Sequence, residues 1–183
     1  MSDVQPAFAG RGAGLLAAVD ARDRALLVRC LDTFDGRIWV RRVWILLTHA
    51  GGATASLLAV IVPLFVHGVL AHAAREGLAT LVLSHLLVQL VKRTVTRPRP
   101  SCRVTGANQT REPDRFSFPS GHSAAAMSVA FAFGLALPSL AAPLVIFALL
   151  VGASRVFLGV HYPGDVVAGQ LLAIATGVLV HVW

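Results

Sequence analysis

Apolar runs that approach the length a helix needs to cross a bilayer, four or five of them, constrain this chain more than any other feature. They cover about residues 50–72, 77–91, 121–137, 140–158 and 165–183; a transmembrane helix takes about 20 mostly apolar residues. Composition agrees: 56% of the 183 residues are hydrophobic and 14% charged, with a mean hydropathy of +0.71. A soluble domain carries about 25% charged residues, so the sequence predicts one polytopic membrane domain. Disorder, collagen and a disulfide scaffold are excluded. Cys30 and Cys102 have neither metal-ligand spacing nor a disulfide framework. No secretory signal pattern is present at the start, because the apolar stretch 12–19 is short and runs into Asp20, Arg22, Asp23 and Arg24. Insertion then depends on the internal runs.

The predicted fold is all-α: a transmembrane bundle of about five to six membrane helices plus an N-terminal interfacial helix. One domain spans 1–183, with 1–49 largely interfacial. Between residues 15 and 34 the apolar Leu15, Leu16, Val19, Leu26, Leu27, Cys30 and Leu31 recur at helical spacing among charged residues, the pattern of a helix lying on the membrane surface. Asp23 interrupts that stripe. Residues 37–47 fit a second interfacial piece or the start of the first span, and the sequence leaves both open. The runs 50–72 and 121–137 are rich in Gly, Ala and Ser, which let helix backbones approach closely in lipid.

The loop 92–120 is polar and long enough to suggest function. Lys92, Arg93, Arg97, Arg99, Arg103, Arg111 and Arg115 stand there against Glu112 and Asp114. Three pieces hold the chemistry-bearing groups: KRTVTRPRP at 92–100, FPSGHS at 118–123 and SRVFLGVHYPGD at 154–165. Counting spans places all three on one membrane face, bringing Lys92, Arg99, His122, Arg155, His161 and Asp165 within reach of one another. Such a group suits a phosphoryl ligand. Arg offers a planar fork to phosphate oxygens and Lys a point charge. A helix starting after Pro119 offers the N–H groups around Ser120, Gly121 and His122 as a phosphate cradle. Of two histidines, one can attack phosphorus while the other protonates the leaving oxygen. Asp165, four residues after His161, shares its face in helical geometry.

These segments resemble the three signature motifs of the type 2 phosphatidic acid phosphatase and haloperoxidase superfamily: Lys-x6-Arg-Pro, Pro-Ser-Gly-His and Ser-Arg-x5-His-x3-Asp. Every signature position is filled. The resemblance implies that His161 is the nucleophile, Asp165 its partner and His122 the general acid. It further implies that Lys92, Arg99, Ser120, Gly121 and Arg155 bind the substrate phosphate, that 92–120 is the catalytic loop, and that no metal or cofactor is needed. Ser154 matches a position with a less defined role. Family membrane enzymes usually have six spans, whereas the region before residue 50 is charged here. The implied activity is hydrolysis of a phosphomonoester or diphosphate on a lipid through a phosphohistidine. Candidate substrates are phosphatidic acid, phosphatidylglycerol phosphate, a polyprenyl diphosphate and a polyprenyl-linked sugar phosphate. The alternative is a lipid diphosphate phosphotransferase using the same intermediate; a protein that merely binds anionic lipids is a third, weaker reading.

The implied partners are the lipid phosphate and the bilayer, with no nucleic acid; oligomeric state is not legible. The basic excess, 16 Lys and Arg against 9 Asp and Glu, flanks apolar runs and reads as topology. Seven Arg before residue 50, seven Lys or Arg in the loop and Arg155 lie on the motif side, against Arg75 alone on the other. The positive-inside rule then places the site on the cytoplasmic face of a bacterial inner membrane. Arg93, Arg97, Arg103, Arg111 and Arg115 are expected to face solvent or headgroups. His85 and Gln89 are expected to bond between helices, and Trp39, Trp44 and Trp183 to sit at the interfaces.

Overall fold

The computed structural model describes residues 11–33, 37–102, 104 and 114–183. Among them, seven helices follow in order: α1 (Arg11–Thr33), α2 (Ile38–Ala50), α3 (Ala53–Ile61), α4 (Val69–Val95), α5 (Gly121–Ala136), α6 (Pro138–Phe157) and α7 (Pro163–His181). Short 3-10 turns lie at Val62–Phe65 and Pro100–Cys102. Among the described residues, the single extended pairing is the bridge between Pro98 and Phe116.

α4, α6 and α7 are each long and apolar enough to cross a membrane, while α2 and α3 with its 3-10 turn form an apolar pair bent by 45°. α5 is apolar but has only 16 residues. The chain is therefore an all-α membrane protein, as expected, but the described residues hold three helices of spanning length, or four spans if the bent pair is one, where about five to six were expected, and the span boundaries also depart. Residues 50–72 do not form one helix. Gly51 and Gly52 separate α2 from α3, and the chain leaves the 3-10 turn through an extended Val66. Residues 69–72 belong instead to α4, and the stretch 37–47 becomes the first limb of the bent pair.

α5 occupies the middle, packed against α3, α4, α6 and α7. Its inward residues are small: Ala124, Ala125, Ala126, Ala130 and Ala132 are all buried, which brings neighbouring backbones close without large side chains between them. Buried polar groups bond across helices. The Ser84 and Ser128 hydroxyls meet at 3.0 Å between α4 and α5, and Gln170 Nε2 donates to the Ala148 carbonyl at 3.3 Å between α7 and α6. His85 and Gln89 do not follow this pattern. Their side chains meet each other at 3.4 Å across one turn of α4, because both lie on its outward side, where no described helix faces them.

α1 forms as expected but uses its stripe differently. Leu27 is fully buried against Val156, Tyr162 and Val166, with Cys30 and Leu31 beside it. Its inner side therefore docks on α6 and α7, and Asp23 lies on that docked side with 7% of its surface exposed. The acid that broke a lipid-facing stripe is a protein contact.

The turn between α6 and α7 is built for its task. Gly159 adopts φ 68, its N–H donates to the Val156 carbonyl at 2.9 Å, and the Val160 N–H donates to the Arg155 carbonyl at 3.1 Å. This pair of bonds around a left-handed glycine is the Schellman helix ending, and it delivers His161 to the site directly after α6. Gly169 serves a close approach: a Cβ there would run into the Ser120 carbonyl oxygen. Gly169→Ala should lower the thermal midpoint of the detergent-solubilised protein and reduce its activity, at a cost of about 1–3 kcal/mol for forced overpacking. Gly134→Ala, whose Cβ would meet Ala141 no nearer than 3.4 Å, should leave both measurements nearly unchanged.

Candidate active site

Four helix ends meet on one face: the last turns of α4 and α6 and the first turns of α5 and α7. Lys92, in the last turn of α4, is buried. Its Nζ donates to Asp114 Oδ2 at 2.7 Å and to the Phe116 carbonyl at 3.2 Å. Arg99 follows on the loop and is 1% exposed. Its guanidinium donates to the Asp114 carbonyl and to Asp114 Oδ1, each at 2.7 Å, and to the Val160 carbonyl at 2.8 Å. One Nη of Arg99 lies 3.4 Å from His161 Nε2. Arg155, near the end of α6, bonds the Thr48 hydroxyl of α2 through one Nη. Among the described residues, its Nε and other Nη are buried without a protein partner. Buried donors left so are costly unless an acceptor reaches them, and an anion is the acceptor that suits a guanidinium.

Asp165 is wholly buried in the first turn of α7. Its Oδ2 accepts from the Tyr162 N–H at 2.9 Å and lies 3.5 Å from His161 Nδ1. That separation is an ion-pair contact, longer than a hydrogen bond, and Nδ1 has no other partner among the described residues. Asp165 Oδ1 accepts from an Arg97 Nη at 2.6 Å. Burial pushes the His161 imidazole down to about 4, helped by the Arg155 and Arg99 cations and opposed by Asp165, so the ring is neutral at pH 7. One nitrogen faces a carboxylate and the other a cation. That arrangement favours the proton on Nδ1 and the lone pair on Nε2.

Ser120 is the N-cap of α5, and its Oγ accepts from the Ser123 hydroxyl at 2.9 Å. Its N–H donates to the Asp165 carbonyl at 2.9 Å, tying the start of α5 to that of α7. Gly121 and His122 open α5, where N–H groups have no intrahelical acceptor. Burial, and after it the charges of Arg155, His161, His49 and Lys92, push the imidazole of the partly buried His122 down to about 3, and the Gly52 backbone lies beside its Nε2. Lys92, Arg99, Ser120, Gly121, His122, Arg155, His161 and Asp165 thus belong to one cluster. Ser154, by contrast, donates to the Val151 carbonyl of its own helix at 2.6 Å.

Two acidic and cationic positions join the cluster beyond those the motifs suggested. Asp114 bridges Lys92 and Arg99; burial alone would raise its carboxyl, but the bonds and charges of those two cations hold it below the usual carboxylate range. Arg97 was expected to face headgroups. Instead it pairs with Asp20, Asp23 and Asp165 and lies 4.1 Å over the Tyr162 ring, because the left-handed Thr96 after α4 turns the chain back over the helix ends. Arg93 and Arg115 are exposed as expected; Arg103, Arg111 and Glu112 lie outside the described residues. Among the described residues, no three His, Cys, Asp or Glu side chains are grouped to share a metal ion.

A family model described as PAP2 superfamily matches residues 73–183. The chain is 37% identical over 102 residues to a decaprenylphosphoryl-5-phosphoribose phosphatase of Mycobacterium tuberculosis, covering 54% of each chain. It is 34% identical over 108 residues to undecaprenyl-diphosphatase BcrC of Bacillus subtilis, covering 59% of this chain and 54% of that one. The chain thus spans about half the length of these curated relatives. The crystal structure of a transmembrane PAP2 type phosphatidylglycerolphosphate phosphatase from Bacillus subtilis superposes with a TM-score of 0.73 at 29% identity, covering 90% of this chain and 85% of that one.

The neutral burial of His161 makes stability depend on pH. Its folded value, about 4, lies below the ordinary 6.5, so the unfolded chain takes up the proton first as pH falls. The stabilisation stands in full above about pH 6.5 and is lost progressively towards about 4. Thermal midpoints measured at pH 7 and pH 4.5 should differ by several degrees more in the wild type than in His161→Gln.

Proposed function

This chain belongs to the PAP2 superfamily, and on that premise we propose that it is an integral membrane phosphatase acting on a lipid that ends in a phosphate or diphosphate. The observation that carries the proposal is the setting of His161: Nδ1 against Asp165, Nε2 against Arg99, and the ring neutral. A nucleophilic imidazole needs that state. Its Nε2 lone pair attacks phosphorus, and Asp165 steadies the positive charge that develops on the ring. Lys92, Arg99 and Arg155 balance the phosphoryl oxygens, and the N–H groups at the start of α5 add a helix dipole. His122, held neutral in the free site by burial and the neighbouring cations, takes up a proton as the anionic substrate binds beside it and gives that proton to the departing lipid oxygen. It then takes a proton from the water that attacks the phosphohistidine, releasing inorganic phosphate and free His161.

The named relatives act, by their names, on decaprenyl- and undecaprenyl-linked phosphates. A polyprenyl-linked phosphate is therefore the first substrate to test, with phosphatidylglycerol phosphate and phosphatidic acid beside it. The site lies at the ends of helices, where a headgroup phosphate resides while its tail stays in lipid.

His161→Ala should abolish phosphate release from every lipid phosphate tried, and His122→Ala should lower kcat about 100- to 10,000-fold, the range for one general acid. Chelator should leave the wild type active. Retained turnover by His161→Ala would refute the mechanism.

The cation count supports a cytoplasmic site, since α1 with Arg22, Arg24 and Arg29 docks on the same face as the cluster. A membrane-impermeant thiol reagent applied to intact cells should label neither Cys30 nor the exposed Cys102; labelling of Cys102 places the site outside.

A further inference from the structure

Arg97 sits where three carboxylates converge, and two of them come from α1. One Nη lies 2.6 Å from Asp165 Oδ1 and 2.8 Å from Asp23 Oδ2, and the other lies 2.9 Å from Asp20 Oδ1. Asp23 uses its remaining oxygen to accept the Gly164 N–H at 2.7 Å, at the start of α7. The Arg97 side chain is 16% exposed, that of Asp23 8% and that of Asp165 0%, so these charges act through little water. α1 precedes the region matched by the family model, which begins at residue 73.

We propose that Arg97, braced by Asp20 and Asp23 of α1, is a positioning residue for the Asp165–His161 pair. This rests on the phosphatase reading given above. Arg97 never reaches the reacting phosphorus; it occupies Asp165 Oδ1, so that Oδ2 is left to face His161, and it keeps the buried carboxyl ionised. The groups facing Asp165 are Arg97 from the loop after α4, Lys92 from α4, His161 from the turn before α7, and the α1 carboxylates beyond Arg97. Arg99 and Arg155 face it across His161. Without Arg97, Asp165 would be left beside Asp23 and Asp20 with no direct cation, and it would take up a proton at higher pH. His161 would then lose the partner for its developing charge. The bond from Gly164 makes α1 part of the same device, since it fixes the backbone one residue before Asp165.

The test follows the pH profile of kcat/KM with a short prenyl diphosphate in detergent, for wild type, His161→Ala, Arg97→Gln, Arg97→Lys and Asp23→Asn. An active wild type and an inactive His161→Ala establish the underlying reading; the opposite result overturns that reading and this inference together. Arg97→Gln should lower kcat about 10- to 100-fold with little change in KM and move the acid limb upward by about one pH unit, as expected when a carboxyl loses a close cation. Arg97→Lys should keep the wild-type acid limb and recover part of kcat, because charge returns without the fork. Asp23→Asn, which retains an acceptor for Gly164, should lower kcat about 3- to 10-fold at unchanged KM. With His161 confirmed, an unmoved acid limb in Arg97→Gln overturns the role of Arg97. Should Arg97→Gln not fold, a wild-type kcat in both Arg97→Lys and Asp23→Asn overturns it instead.

Discussion

A carboxylate with no accessible surface is the interaction around which the rest of this structure is arranged. Asp165 is buried completely, and an isolated carboxylate in such a place would cost many kcal/mol or surrender its charge. It stays charged through several contributions: the Tyr162 N–H, the start of α7 with its positive dipole end, Arg97 and the His161 ring. Each contribution dictates a piece of architecture. The turn after α6 must present His161, the loop after α4 must fold back to deliver Arg97, and α1 must dock to hold Arg97 in place. The carboxylate therefore links elements distant in sequence, touching the turn and the loop directly and α1 only through Arg97.

Cations are balanced by a second carboxylate. Asp114 takes Lys92 on one oxygen and Arg99 on the other, so two positive side chains with little exposed surface are tolerated beside each other. Arg155 is balanced less fully, with one Nη on Thr48. The cluster is consequently uneven: its acids gather on the Arg97 and Asp114 sides, while its surplus positive charge lies near His122 and Arg155. A dianion is drawn to the second region.

Much of this was readable from the residues. The apolar runs marked the cores of α4, α5, α6 and α7, and span counting alone placed Lys92, Arg99, His122, Arg155, His161 and Asp165 on one face. What escaped was tertiary pairing between polar groups far apart in sequence. Nothing in a basic loop distinguishes Arg97 from Arg93, since only the fold shows which one meets three carboxylates. Thr48 carried no signal, because any hydroxyl near a helix end looks alike in one dimension. Asp23 did carry one. Its break in an apolar stripe was the mark of a docked face rather than an imperfect lipid face. The boundary error at 50–72 has a different origin: hydropathy averages across Gly51 and Gly52, whereas a helix axis does not.

The unequal lengths of α5 and α6 also shape the site. These helices share the turn at Leu137 and Pro138, yet α5 has 16 residues and α6 has 20. At 1.5 Å per residue α6 is about 6 Å the longer, and counting outward from the shared turn pairs Gly121 of α5 with Ser154 of α6 rather than with its last residue, Phe157. The start of α5, with Ser120, Gly121 and His122, is thereby set beside Arg155. The number of residues on each side of one turn thus decides which guanidinium an imidazole meets.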